Sequence, residues 1–221
     1  MKKTAILLGA TGLTGSSVLQ KLIADDRYES IKLFSRSKIE GLPNKVEQFI
    51  GNLLELEQFK AHFIADEIYC CIGTTKEKTP EKTLYKKIDY GIPVAAAKLA
   101  KANGVDTFLV ISAMGANKNS STFYTKTKGE MERDVRQQNL KNTFILRPSL
   151  IDGDRDENRT LEKIGLTVLK VIQPLFIGKL KQYKIIKAET IAQAMIHLAN
   201  TTNHSEVIIT SDHINTLGNN K

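Results

Sequence analysis

Short apolar runs and amphipathic stretches alternate along the whole chain. Runs of strand length lie at 4–9 (TAILLG), 31–35 (IKLFS), 45–50 (KVEQFI), 67–72 (EIYCCI), 106–112 (DTFLVIS), 142–147 (NTFILR) and 206–211 (EVIITS). Between them, apolar positions at helical spacing predict helices near 13–25, 53–63, 81–103, 121–139, 157–173 and 188–200. Alternation of this kind builds βαβ units around a parallel sheet. Most of the strand runs are nearly continuous in apolar residues, which suits strands covered on both faces. No internal repeat, low-complexity tract or long linker interrupts the pattern, so residues 1–221 read as a single α/β domain with a small elaboration after residue 148.

Composition narrows the function classes. With 221 residues, 41% hydrophobic and 25% charged, the chain has the make-up of an ordinary globular protein with enough length for a large core. The net charge of +8 comes mostly from lysines scattered among acids. A nucleic-acid binder calls for arginine runs or a basic stripe with aromatics, and neither is present. The charge reads as a solvated basic surface, and equally suits phosphorylated or acidic ligands.

Cys70 and Cys71 are adjacent. Neighbouring Cα atoms lie about 3.8 Å apart, too close for an ordinary disulfide, so both read as reduced core residues. No zinc-type spacing occurs, and His62, His197, His204 and His213 form no metal or triad pattern. The opening "MKKTAILLGATG" imitates a signal peptide, but its apolar run ends at Gly9 and suits a first strand better. The apolar stretch "IGLTVLKVIQPLFIG" carries Lys170 and is cut by Pro174, so it reads as a packed helix and no membrane span is expected. A soluble, cytoplasmic protein is the expectation.

Candidate chemistry begins at the first turn. "AILLGATGLTGSS" puts Gly9, Gly12 and Gly15 between the first strand and the first helix, with Thr11, Leu13 and Thr14 filling the turn. Three glycines there serve a tight turn, close backbone approach to a pyrophosphate, and close helix–strand packing. The helix N-terminus then holds the anion. A plain strand–helix turn needs at most one of them. After the second strand, "LFSRSK" carries no acid to bind a ribose 2′-hydroxyl, whereas Arg36 offers a planar fork for a 2′-phosphate. NADPH (NADP+) is therefore the expected cofactor. Asn52, after the third strand, could reach the adenine edge.

Ser112, Tyr124 and Lys128 raise the question of catalysis. The Tyr-x-x-x-Lys spacing recurs at Tyr28–Lys32 and Tyr183–Lys187, so spacing alone decides nothing. Singly, the three residues read as a strand-end hydroxyl, a packed aromatic and a solvated lysine.

Several motifs together resemble a known family. "GATGLTG", "CCIGTT", the Ser112…Tyr124-x-x-x-Lys128-Gly-Glu block and "LRPSLIDGDRDENR" are similar to the atypical short-chain dehydrogenases, closest to the Tat-interacting-protein-like branch of NADPH-binding oxidoreductases. The resemblance covers nearly the whole chain. It implies a Rossmann-type, doubly wound, mainly parallel sheet, with residues 148–205 forming the substrate side. It assigns the turn from Gly9 to Gly15 to the pyrophosphate, Arg36 to the 2′-phosphate, and Asn52 with Leu53 to the adenine. Ile72, Gly73 and Thr74 would line the adenosine side of the groove. Arg147, Pro148, Ser149 and Leu150 would form the strand end beside the nicotinamide. Two positions depart from relatives: Asn52 stands where many have aspartate, and Asp89 where longer ones often have an asparagine that orders a relay water.

Position then separates the three Tyr-Lys pairs. Tyr124 and Lys128 follow the strand that ends in Ser112, and ligands of parallel sheets bind at such strand ends. Four residues apart, the two share one helix face. A tyrosine near pKa 10 is a poor acid at neutral pH, and a lysine ammonium beside it favours the phenolate. Lys128 would also hold the nicotinamide ribose, and Ser112 the substrate carbonyl. The expectation is an NADPH-dependent oxidoreductase acting on a small carbonyl compound. Its rival is an NADPH-binding sensor or scaffold that regulates a protein partner without turnover. The 76–87 segment reads as a solvated loop or a lid, and 152–159 as a polar loop or a pocket border.

Overall fold

The computed structural model describes residues 2–152, 183–201 and 207–219. Among them runs the expected order: β1 (Lys3–Leu8), α1 (Leu13–Ala24), β2 (Tyr28–Ser35), β3 (Val46–Ile50), β4 (Glu67–Cys70), α2 (Lys82–Lys86), α3 (Ile92–Ala102), β5 (Thr107–Ile111), α4 (Phe123–Arg136) and β6 (Asn142–Arg147). β7 (Ile151–Asp152), β8 (Ile186–Lys187), α5 (Ala188–Ala199), β9 (Ile208–Thr210) and α6 (Ser211–Asn219) complete the described chain. Seven strands make one sheet in the order β3-β2-β1-β4-β5-β6-β9, every neighbouring pair parallel. β7 and β8 form a separate small pair. The order reverses direction between β1 and β4, which opens the crevice where such sheets take ligands.

Strand alternation feeds two cores. Ala5 and Leu7 of β1 face one layer, packed with Val18, Leu19 and Leu22 of α1 and with Ile191, Met195 and Leu198 of α5. Ile6 and Leu8 face the other, with Leu99 of α3 and Met131 and Val135 of α4. Each helix contributes apolar residues three or four apart, the spacing of one buried stripe.

Two segments depart from the expected helices for local reasons. Residues Leu53–His62 form a 3-10 helix, interrupted at Glu55, rather than an α-helix. Its buried residues Leu53, Leu56 and Phe59 fall three apart, the period at which 3-10 side chains align. The single helix expected over 81–103 is broken into α2, a π-helical turn at Lys87–Gly91, and α3. Pro93 lies one helical step after the Asp89 carbonyl. It cannot donate to that carbonyl and its ring crowds it, so the chain widens there. The α6 helix and the β7–β8 pair were not anticipated. The helix expected near 157–173 lies outside the described residues.

A buried polar network ties the N-terminal ends of the strands, away from the crevice. Glu67 accepts from the Tyr28 and Tyr69 hydroxyls at 2.7 and 2.8 Å and pairs with Lys3. The Asn200 amide reaches the Tyr28 hydroxyl at 2.7 Å, which fastens the end of α5. Burial, and next the Glu67 carboxylate, push both phenols well above the ordinary tyrosine range. Glu67→Ala strands these donors. It is expected to lower stability by about 3 kcal/mol, read as a lower urea midpoint at unchanged slope, with dinucleotide affinity preserved.

Candidate functional site

The turn after β1 is shaped by close backbone contacts. Gly9 adopts φ +86°, and a Cβ there would stand 2.7 Å from the Cys71 carbonyl oxygen at the end of β4. A Cβ on Gly15 would stand 1.9 Å from the Gly9 carbonyl oxygen, so α1 crosses the turn backbone on backbone. Gly12 caps α1 without any side-chain hydrogen bond, and no acid occupies the first turn. Thr11 and Gly12 are exposed, Leu13 is half-buried, and Thr14 points into the protein. The helix thus presents its positive end uncovered at the crevice, the arrangement that binds a phosphate.

The rim follows from β2 to β4. Ser35 turns the chain by donating to the Ser37 carbonyl at 2.7 Å, which leaves Arg36 exposed at the strand end. Asn52 is committed to its own helix. Its Oδ1 accepts from the Leu54 N–H at 3.1 Å and its Nδ2 donates to Glu55 at 2.9 Å. Leu53 is buried in the core, so its main chain rather than its side chain faces the rim. Ile72, Gly73 and Thr74 line the loop after β4, with Gly73 exposed and its neighbours half-buried. Thr74 is fixed by a 2.8 Å bond to the Thr79 hydroxyl and by its N–H to Asp89 at 2.8 Å. The Tyr85 hydroxyl donates to the Thr74 carbonyl at 3.3 Å, so the 76–87 segment is anchored at both its ends.

Across the crevice, α4 carries a polar stripe inward. Tyr124, Lys128 and Glu132 succeed one another at four-residue steps, 42%, 3% and 4% exposed. Lys128 lies 2.9 Å from Asp89 and 3.4 Å from the Ile111 carbonyl at the end of β5. Burial opposes its charge, but Asp89 and the Tyr124 phenol outweigh this and raise its pKa. It therefore remains an ammonium, within electrostatic reach of Tyr124. Gly129 allows the loop after β5 to lie on this helix, since a Cβ there would meet the Lys118 nitrogen at 2.2 Å.

Ser112 sits buried at the strand end, as its position in the sequence implied, but its hydroxyl donates to Glu132 at 2.5 Å. Arg147 grips the same carboxylate, its Nε 2.9 Å away. That carboxylate holds the Arg147 guanidinium above its usual pKa. Pro148 is buried and accepts from the Met114 N–H at 3.1 Å. The Ser149 N–H donates to Ser211 at 3.1 Å, and Leu150 is exposed. Glu132 went unnoticed in the sequence. Its signal was the third step of the Tyr-Lys spacing, an acid on a face otherwise buried.

The other two Tyr-Lys pairs lie elsewhere. Tyr28 is buried in the Glu67 network, and Tyr183 is exposed ahead of β8. Among the described residues no cluster of His, Cys, Asp and Glu side chains could hold a metal ion, and no helix is long and apolar enough to cross a membrane. Burial pushes the Cys70 thiol up to about 12.

A glycine cradle, an uncovered helix end and an all-parallel sheet suit a dinucleotide, and residues 9–202 match the family model described as NAD(P)H-binding. The chain belongs to this NAD(P)H-binding family. Protein FMP52-1, mitochondrial, from Scheffersomyces stipitis is 35% identical over 188 residues, 79% of this chain and 80% of that protein. Protein HTATIP2 from Rattus norvegicus is 30% identical, covering 71% of this chain and 66% of that protein. The fold is shared with L-threonine 3-dehydrogenase from Trypanosoma brucei, at TM-score 0.71 and 12% identity over 96% of this chain and 78% of that one. The FMP52 relatives correct one expectation. They are named mitochondrial proteins, which overturns the cytoplasmic location expected from the sequence.

Gly15→Ala tests the cradle in this NAD(P)H-binding protein. The added methyl cannot coexist with the Gly9 carbonyl, so a stability loss of about 2 kcal/mol or more is expected, together with loss of the thermal shift that a nicotinamide dinucleotide confers.

Proposed function

We propose that the protein is an NADPH-dependent oxidoreductase that reduces a small carbonyl compound, with Tyr124 as proton donor and Lys128 as the charge that supports it. The observation that carries this reading is the buried Lys128 ammonium, one helical turn from an exposed tyrosine, at the strand ends opposite the glycine cradle. A lysine kept this dry costs free energy that ordinary surface lysines avoid, and the site is where that cost returns as chemistry.

The nicotinamide cofactor, when bound, supplies the hydride. The chain's residues do the rest. Gly9, Thr11, Gly12, Leu13, Thr14 and Gly15 hold the pyrophosphate, and Arg36 meets the 2′-phosphate from solvent. Leu53 and Asn52 border the adenine through main-chain atoms, because the Asn52 amide is already engaged in capping. Ile72, Gly73 and Thr74 flank the adenosine, and Arg147, Pro148, Ser149 and Leu150 border the reactive end. As the carbonyl carbon gains hydride, its oxygen gains negative charge and takes the Tyr124 proton. Lys128 stabilises the tyrosinate that remains. Tyr124 is 42% exposed, so it can recover its proton from solvent.

Ser112 enters this scheme only if its hydroxyl turns from Glu132 to the carbonyl oxygen. That engagement favours a second reading, in which the protein binds NADPH and regulates a protein partner without turnover.

NADPH oxidation with a panel of small aldehydes, ketones and quinones separates the two. Turnover should appear, and Tyr124→Phe should lower it at least about 100-fold while cofactor affinity holds within about twofold. Turnover unchanged by Tyr124→Phe removes that residue from the mechanism, and no turnover with any compound supports the second reading. Arg36→Ala should weaken NADPH about tenfold and leave NADH unaffected in direct binding measurements. Equal losses for both would remove the 2′-phosphate role.

A further inference from the structure

β6 and β9 leave the sheet side by side. Arg147 and Thr210 are the last pair of their register, after which one chain runs on through Pro148–Leu150 and the other coils into α6 at Ser211. Three successive residues of the first chain are then held by three different segments. The Pro148 carbonyl accepts from the Met114 N–H at 3.1 Å, in the loop after β5, and the Leu150 carbonyl from the Ile186 N–H at 3.0 Å, at the start of β8. Both are main-chain bonds, independent of the side chains. Between them, the Ser149 N–H lies past the end of the ladder and donates to the Ser211 hydroxyl at 3.1 Å. This central tie alone of the three hangs on a side chain.

The ends of this chain of bonds fix its direction. A carbonyl only accepts, so the Ser149 hydroxyl gives its one proton to the Lys184 carbonyl. The proton between the two hydroxyls, 3.0 Å apart, is therefore that of Ser211. The Ser211 oxygen, 1% exposed, accepts one bond from Ser149 and returns another to it. One buried hydroxyl thus grips both the main chain and the side chain of Ser149, and through that side chain reaches the segment ahead of β8.

We infer that Ser211 is a positioning residue for the reactive half of the dinucleotide, its hydroxyl setting the course of Pro148–Leu150. The inference rests on the reading of that segment as the border of the nicotinamide. Ser211 acts there through Ser149. Alanine at 211 removes an acceptor and a donor at once, and a main-chain N–H stripped of its acceptor moves to find another. The effect stays local. In the sheet order, β4 and β5 stand between β1 and β6, so the glycine turn lies three strand spacings away, about 14 Å. Arg36, at the end of β2, lies one spacing farther.

Direct binding of two probes tests this. NADPH carries both halves of the dinucleotide, whereas adenosine 2′,5′-bisphosphate carries the adenosine and the 2′-phosphate and lacks the nicotinamide. Ser211→Ala should weaken NADPH about fivefold and leave the bisphosphate within about 1.5-fold of the unaltered protein. A loss of the same factor for both probes marks a general loosening and overturns the proposal, as does unchanged NADPH affinity. If Ser211→Ala does not fold, Ser211→Cys, close in shape but a weaker donor and acceptor, is measured in its place. The same split is expected of it, and the same two results overturn the proposal. Neither probe needs turnover, so absent carbonyl reduction counts against the proposed activity, and an equal loss or none against the Ser211 role.

Discussion

The crevice depends on one backbone contact. The Gly9 carbonyl occupies the space where a side chain on Gly15 would be, and Gly9 itself lies against the end of β4. Two missing side chains therefore set how closely α1 approaches the sheet and where its positive end points. The topology adds the second half of the constraint. The strand order reverses between β1 and β4, so that helix end opens into a crevice rather than onto a neighbouring crossover.

The far wall is built on a different principle. Tyr124, Lys128 and Glu132 run down one face of α4 from solvent into the core, and each buried charge is met by an opposite one: Asp89 for Lys128, Arg147 for Glu132. These pairs come from elements remote in sequence, a π-helical turn and the end of β6. Their stability value is modest, since apolar residues could fill the same volume. What they secure is orientation: an ammonium aimed past Gly73 toward the crevice, and a strand end held against Ser112.

Much of this was legible in the sequence. Continuous apolar runs alternating with helical spacing gave the parallel sheet, and the seven strands of that sheet lie within a few residues of those runs. The glycine turn was legible because no other residue type tolerates such contacts. Other features were hidden for physical reasons. The π-helical turn follows from Pro93 meeting the Asp89 carbonyl, a three-dimensional clash that apolar spacing does not record. The α6 helix buries Ile214 and Leu217 and packs Gly218 against Thr190, too sparse a stripe to stand out in a polar segment. Asn52 looked like an adenine ligand because it follows β3, and its side chain instead caps the 3-10 helix. Glu132 drew no reading from the sequence and Asp89 only one as a departure from relatives, and tertiary packing shows both to be buried partners.

A crystal structure with NADP+ tests the central claim most directly, that the glycine cradle holds the pyrophosphate of a dinucleotide whose nicotinamide ribose reaches the buried Lys128. The pyrophosphate should lie on the α1 N-terminus, with the Lys128 nitrogen hydrogen-bonded to the nicotinamide ribose while still paired with Asp89, and the Tyr124 hydroxyl beside the ring. A nucleotide bound with its nicotinamide directed away from α4, and Lys128 touching Asp89 alone, would contradict the account.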